Sequence, residues 1–117
     1  MAIQINKDAV SHANGLIRRG AIVQDERGDW SEHAPSASDG NAYIDEHGMK
    51  EYAKWFLGED SDQPEENKGR YLFPYGDFTK VHRCAVISGE GRAGQYNHGS
   101  IEKAEKDLLE KIDKKQK

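Results

Sequence analysis

From Ser100 onward the apolar residues Ile101, Ala104, Leu108, Leu109 and Ile112 recur at three- and four-residue intervals, so a helix there presents one continuous apolar stripe. Glu105 is the only polar residue within that wide face, and Ser100 can cap the first free amides. Such a face needs a partner. Immediately upstream, Phe78, Val81, Ala85 and Ser88 share a second stripe broadened by Cys84, and Asp77 can accept hydrogen bonds from the amides of a helix beginning at Phe78. Joined through Gln95 to Gly99, the two stripes predict a C-terminal helical hairpin over 78–113 and a mainly α fold. One stretch leaves an alternative open. Cys84-Ala85-Val86-Ile87 also fits a short buried strand, and Gly89, Gly91 and Gly94 each oppose helix by about 1 kcal/mol relative to alanine.

The rest of the chain divides by its punctuation. Ala9, Val10, Ala13, Leu16 and Ile17 fall on one face of a helix from about Lys7 to Arg19, capped by Asn6 and ended by Gly20. Ala21, Ile22 and Val23 fit a short strand, and a turn at Arg27-Gly28 or Gly28-Asp29 before Trp30 would make a marginal N-terminal β-hairpin. Ser31 to Asp39, with Pro35 inside it, reads as a surface loop. Met49, Tyr52, Ala53, Phe56 and Leu57 predict a second helix from about Gly48 to Leu57, stopped by Gly58. The segment 59–68 reads as an acidic surface loop that lacks the ligand spacing of a calcium-binding loop, and 114–117 as a frayed basic tail. With 117 residues, all of this fits one small helical domain.

Between the acidic loop and the hairpin lies the run Tyr71-Leu72-Phe73-Pro74-Tyr75-Gly76-Asp77-Phe78. Pro74 removes a backbone donor and restricts Phe73, so the run reads as an extended segment followed by a turn, not as a central strand. Its rings then act mainly as packing, with Tyr75, between Pro74 and Gly76, as a candidate for an exposed aromatic contact.

Charge and cysteine usage narrow the function. The net charge is −4, from 17 basic and 21 acidic residues, which gives no general attraction to nucleic acid or anionic lipid. A lone cysteine forms no internal disulfide, no run reaches the roughly 20 apolar residues of a membrane span, and the N-terminus lacks the features of a signal peptide. A cytoplasmic protein without a membrane partner is expected.

No motif names a reaction. Gly89-Glu90-Gly91-Arg92-Ala93-Gly94 matches GxGxxG, but a dinucleotide site needs parallel strands that the remaining 23 residues cannot supply. Ser88 has no GxSxG elbow, and Asp45, Glu46 and His47 are neighbours only in sequence, so no catalytic residue is assigned. With neither HExxH nor CxxC, no metal or cofactor is expected; were a metal bound, His82, Cys84 and His98 would be the donors at hand. Lys80, Arg83 and Arg92, with His82, beside Tyr75 and Tyr96, compose the one candidate contact surface for nucleic acid or another partner.

The segments Trp55-Phe56-Leu57-Gly58, Lys68-Gly69-Arg70-Tyr71 through Phe78, Val81-His82-Arg83-Cys84 and Ile101-Glu102-Lys103-Ala104 with Leu108-Leu109 resemble small uncharacterised bacterial proteins, and the C-terminal segments resemble pieces of phage-associated proteins. The resemblance covers most positions from Gly40 to Asp113. It implies a helix where this chain places Gly89, Gly91 and Gly94, and it implies no catalytic residues. Together these readings favour a noncatalytic interaction or structural module with an unidentified protein partner or self-association. The alternative is a nucleic-acid-binding accessory protein using Lys80, Arg83 and Arg92, and a small enzyme ranks behind both.

Overall fold

The two C-terminal stripes meet as expected, in a tightly packed pair of helices. In the computed structural model, which describes residues 2–115, the elements in chain order are β1 (Ile3–Ile5), α1 (Lys7–Arg18), β2 (Ile22–Val23), α2 (Trp30–His33), α3 (Ala37–His47) and α4 (Met49–Ala53). They continue with β3 (Phe56–Asp60), a 3₁₀ turn (Lys68–Arg70), β4 (Tyr71–Pro74), β5 (Val81–His82), α5 (Arg83–Gln95) and α6 (Gly99–Lys115). Helices hold 57% of the described residues, which makes this a small, mainly helical domain.

The ambiguous stretch 84–94 is helix throughout. α5 buries Cys84, Ala85, Val86, Ile87, Gly89 and Ala93, and α6 answers with Ile101, Glu105, Leu108 and Ile112. Gly89 permits the approach: a Cβ there would collide with the Glu105 carboxylate. The helices are joined by a Schellman turn. Asn97 takes the left-handed conformation at φ 60°, its amide donates to the Gly94 carbonyl at 3.3 Å, and the His98 amide donates to the Ala93 carbonyl at 2.8 Å.

The hairpin begins later than expected, at Arg83. Asp77 does cap, but it caps a turn: Oδ1 accepts from the amides of Thr79 at 2.9 Å and Lys80 at 2.7 Å. Phe78 sits at φ 70°, which a first helical turn cannot accommodate. Val81 and His82 then form β5 before the helix starts. At the other end Lys114 and Lys115 still belong to α6, and Lys115 donates to the Arg18 carbonyl at 3.3 Å. The remainder of the basic tail expected at 114–117 lies outside the described residues.

β1, β3 and β4 make an antiparallel sheet in that order, with Ile5 opposite Gly58 and Gly58 opposite Leu72. β4 is an edge strand ending in Pro74, where a missing donor is tolerated. The β structure at the N-terminal end takes its partners from far along the chain. β1 pairs with β3, and β2 pairs in parallel with β5, while Trp30 opens α2 instead of a return strand after Gly28.

Three other expectations change. Ser31 to Asp39 is not all loop: Ser36 and Asp39 form a reciprocal capping box that starts α3, a helix with only Gly40 buried and therefore little apolar periodicity to read. The helix expected to Leu57 ends at Ala53, because Phe56 and Leu57 enter β3 between two partner strands. Glu59 and Asp60 also belong to β3, so the acidic loop begins at Ser61. It is anchored by Arg70, which bonds Glu59 and the Gln63 carbonyl, each at 2.7 Å.

Candidate functional site

The six residues expected to form a contact surface separate into different environments. Tyr75 is fully buried; its ring stacks on Trp55, with centroids 5.5 Å apart, and its hydroxyl donates to the Lys54 carbonyl at 2.7 Å and meets His12 Nδ1 at 2.8 Å. Backbone pairing draws it inward, since its amide bonds the Trp55 carbonyl, so it offers no exposed face. Lys80 is exposed on the turn. Arg83 is committed to Asp113 at 2.8 Å. Arg83 and Arg92 stand nine positions apart on one helix, so they point roughly 180° apart and are separated by about 13 Å along its axis. The expected cationic patch does not converge.

Arg92 and Tyr96 do share a surface. Between the sheet and α5 runs a mostly apolar groove of about 860 Å³, lined among others by Ile3, Leu72, Phe73, Ser88, Arg92 and Tyr96. Tyr96 is 57% exposed, the most solvent-accessible large hydrophobic residue among those described. Arg92 forms no ion pair with a described residue, and no acidic side chain lines the groove. Phe73, at φ 62°, holds a left-handed conformation costly for an aromatic residue, and such strain collects at binding sites.

His82 belongs to a second, buried constellation. The segment after β2 carries Asp25 under α5, where its Oδ1 accepts the Cys84 amide at 2.7 Å. Its Oδ2 lies 2.7 Å from His82 Nδ1, 2.8 Å from His33 Nδ1 and 3.0 Å from Cys84 Sγ. His82 Nε2 in turn lies 2.8 Å from Asp77 Oδ2, so both ring nitrogens face carboxylates.

Burial alone would raise the Asp25 carboxyl, but the hydrogen bonds from the Cys84 thiol and amide, His33 and His82 outweigh it and hold it well below the usual carboxylate range. Burial first, and then the Asp25 carboxylate, push the Cys84 thiol up to about 12. The hydrogen bond to Asp25 raises His33. A thiol held protonated in this way is a poor nucleophile, so the Cys-His-Asp proximity is not that of an activated cysteine.

Of the donors considered from sequence, the fold joins His82 to Cys84 but leaves His98 beside the Phe73 ring, centroids 5.8 Å apart. In its place stand Asp25 and His33, which sequence reasoning missed. The local signal was His82-Arg83-Cys84 alone; Asp25 lies 57 residues before His82, and neither Asp25 nor His33 sits in a motif. Among the described residues no helix is long and apolar enough to cross a membrane. The chain matches no family model, no curated protein and no solved structure.

Proposed function

We propose that the protein is a noncatalytic interaction module whose groove between the sheet and α5 receives an apolar peptide segment carrying an acidic side chain. The observation that carries this reading is the pairing of an apolar groove with a cation that has no ion-pair partner among the described residues, Arg92, and an exposed aromatic, Tyr96. Arginine and tyrosine are the residue types that most often dominate binding energy at protein interfaces. A groove of about 860 Å³ has the capacity of a binding site for several apolar groups. Without an acidic lining residue, the carboxylate that neutralises Arg92 would come from the partner.

The segment can belong to another protein or to a second copy of this chain, in a cytoplasmic setting. The resemblance to bacterial and phage-associated proteins implies, by analogy, a capsid-related or regulatory role, and the reading rests on the groove, not on that resemblance. The nucleic-acid alternative is weaker because Arg83 is already paired with Asp113 and points away from Arg92.

The test is selection from a random peptide library on the immobilised full chain, with light scattering for self-association and short single-stranded DNA and RNA as competitors at low salt. Selected peptides should combine apolar residues with Asp or Glu, and Arg92→Glu or Tyr96→Ala should weaken them at least about tenfold, the scale of an interface hot spot. Peptides that bind both variants as well as the parent, or retention of nucleic acid in place of peptide, would refute the reading.

A further inference from the structure

We propose that Asp25, His33, His82 and Cys84 form a zinc site that fastens the N-terminal half of the chain to the start of the C-terminal hairpin. One ligand atom from each residue lies within 4.8 Å of all the others. A carboxylate, two imidazoles and a thiol are four protein donors of the types that zinc takes in tetrahedral structural sites.

Hydrogen bonding alone leaves this cluster overcrowded. Three groups, His33 Nδ1, His82 Nδ1 and Cys84 Sγ, converge within 3.0 Å of a single oxygen, Asp25 Oδ2. One carboxylate oxygen offers about two lone-pair directions, so three donors cannot all be well served. A cation among the four atoms spreads them around a common centre, with one lone pair of each aimed inward at the ion. With zinc bonds of roughly 2.0–2.3 Å, tetrahedral ligand atoms stand roughly 3.3–3.8 Å apart, so the present contacts of 2.7–3.0 Å need to open by only about 1 Å or less.

The surroundings already orient two of the donors, His82 and Asp25, as a metal needs. Asp77 Oδ2 lies 2.8 Å from His82 Nε2 and fixes that proton away from the centre, leaving Nδ1 as the ligand. This carboxylate–histidine arrangement is the usual support behind a metal-bound imidazole. The Cys84 amide holds Asp25 Oδ1 and leaves Oδ2 free to point inward. Cys84 is the second residue of α5, and a divalent cation bound there removes the thiol proton outright. His33, whose side chain is 39% exposed, is the surface ligand through which an ion can enter.

Four protein ligands leave no open position for substrate, so the site is structural. It joins the segment after β2, through Asp25, and α2, through His33, to β5 and α5, across a separation of 57 residues between Asp25 and His82. Short strands and a four-residue helix bury little apolar surface, and this is where a metal cross-link contributes most to holding a small fold together.

The experiment is to strip the purified full chain with a chelator and titrate it with Zn²⁺ and, separately, Co²⁺. The expected results are one zinc per chain, a Tm that rises with zinc and falls again with chelator, and a cobalt spectrum with tetrahedral d–d bands and a thiolate-to-cobalt band. Cys84→Ser should abolish the thiolate band. His33→Ala, on the partly exposed helix α2, should weaken zinc at least about tenfold without altering the far-UV spectrum, and Asp77→Asn should weaken it roughly 10–100-fold with the stoichiometry kept. His98→Ala should change neither. Failure of the parent chain to take up stoichiometric zinc or cobalt would overturn the proposal, as would a thiolate band that survives Cys84→Ser or zinc affinity unchanged in His33→Ala.

Discussion

Glu105 occupies the position on α6 where the helix face calls for an apolar side chain. It is fully buried, and among the described residues neither carboxylate oxygen has a hydrogen-bond partner. Burial, with a smaller contribution from the Glu90 charge on α5, raises its carboxyl well above the ordinary value of 4.5. The consequence for stability has a definite sign. Below about pH 4.5 the group is protonated in both folded and unfolded chains; as pH rises, the unfolded chain releases its proton first and stability falls until the folded-state value is passed. Urea midpoints measured from about pH 4.5 upward should therefore decline in the parent chain and decline less in Glu105→Gln. Glu105→Met, which fills the same space without a polar head, should stabilise the protein at neutral pH by about 1–3 kcal/mol. A parent midpoint that climbs over that range would contradict the assignment of a neutral carboxyl.

At the scale of one element, α5 shows why three glycines do not break a helix. In an isolated helix each would cost about 1 kcal/mol against alanine, which is why 84–94 reads as ambiguous. Packing separates their roles. A Cβ on Gly89 would meet the Glu105 carboxylate, which is buried and cannot swing aside, whereas a Cβ on Gly91 meets nothing within 4 Å. The two alanine substitutions should therefore have opposite signs: Gly91→Ala stabilising by up to about 1 kcal/mol, Gly89→Ala destabilising by about 1–3 kcal/mol. Thermal unfolding of the pair checks this directly, and stabilisation by both would mean that α5 and α6 are farther apart than described. α3 teaches the converse. Its start is set by the Ser36 and Asp39 capping box inside a stretch that reads as loop, and with Gly40 its only buried residue it has no stripe to announce it.

For the whole molecule, the decisive contact is where the sheet meets α6. Gly58, which reads as a helix stop, lies mid-strand in β3, and a Cβ there would stand 2.8 Å from the Phe73 ring and 2.9 Å from Ile101 Cδ1. Gly58→Ala should cost about 1–3 kcal/mol, read as a lower urea midpoint, since it wedges sheet and helix apart; a neutral result would show the layers to be loosely joined. The sequence by itself determined the elements whose apolar residues repeat over several turns, α1 with its Asn6 cap and α6, because a helix closes its hydrogen bonds within its own segment, whereas α5, with its three glycines, needed the packing against α6 to decide it. It also restricted β4 to an edge through Pro74. Tertiary structure alone decided the rest. Phe56 and Leu57 keep helical spacing from Tyr52 and Ala53 but become strand, because a strand satisfies its backbone only through distant partners. For the same reason the Asp25 constellation was invisible: four residues with no shared motif become neighbours only when β2 pairs with β5 and carries Asp25 and His33 to His82 and Cys84.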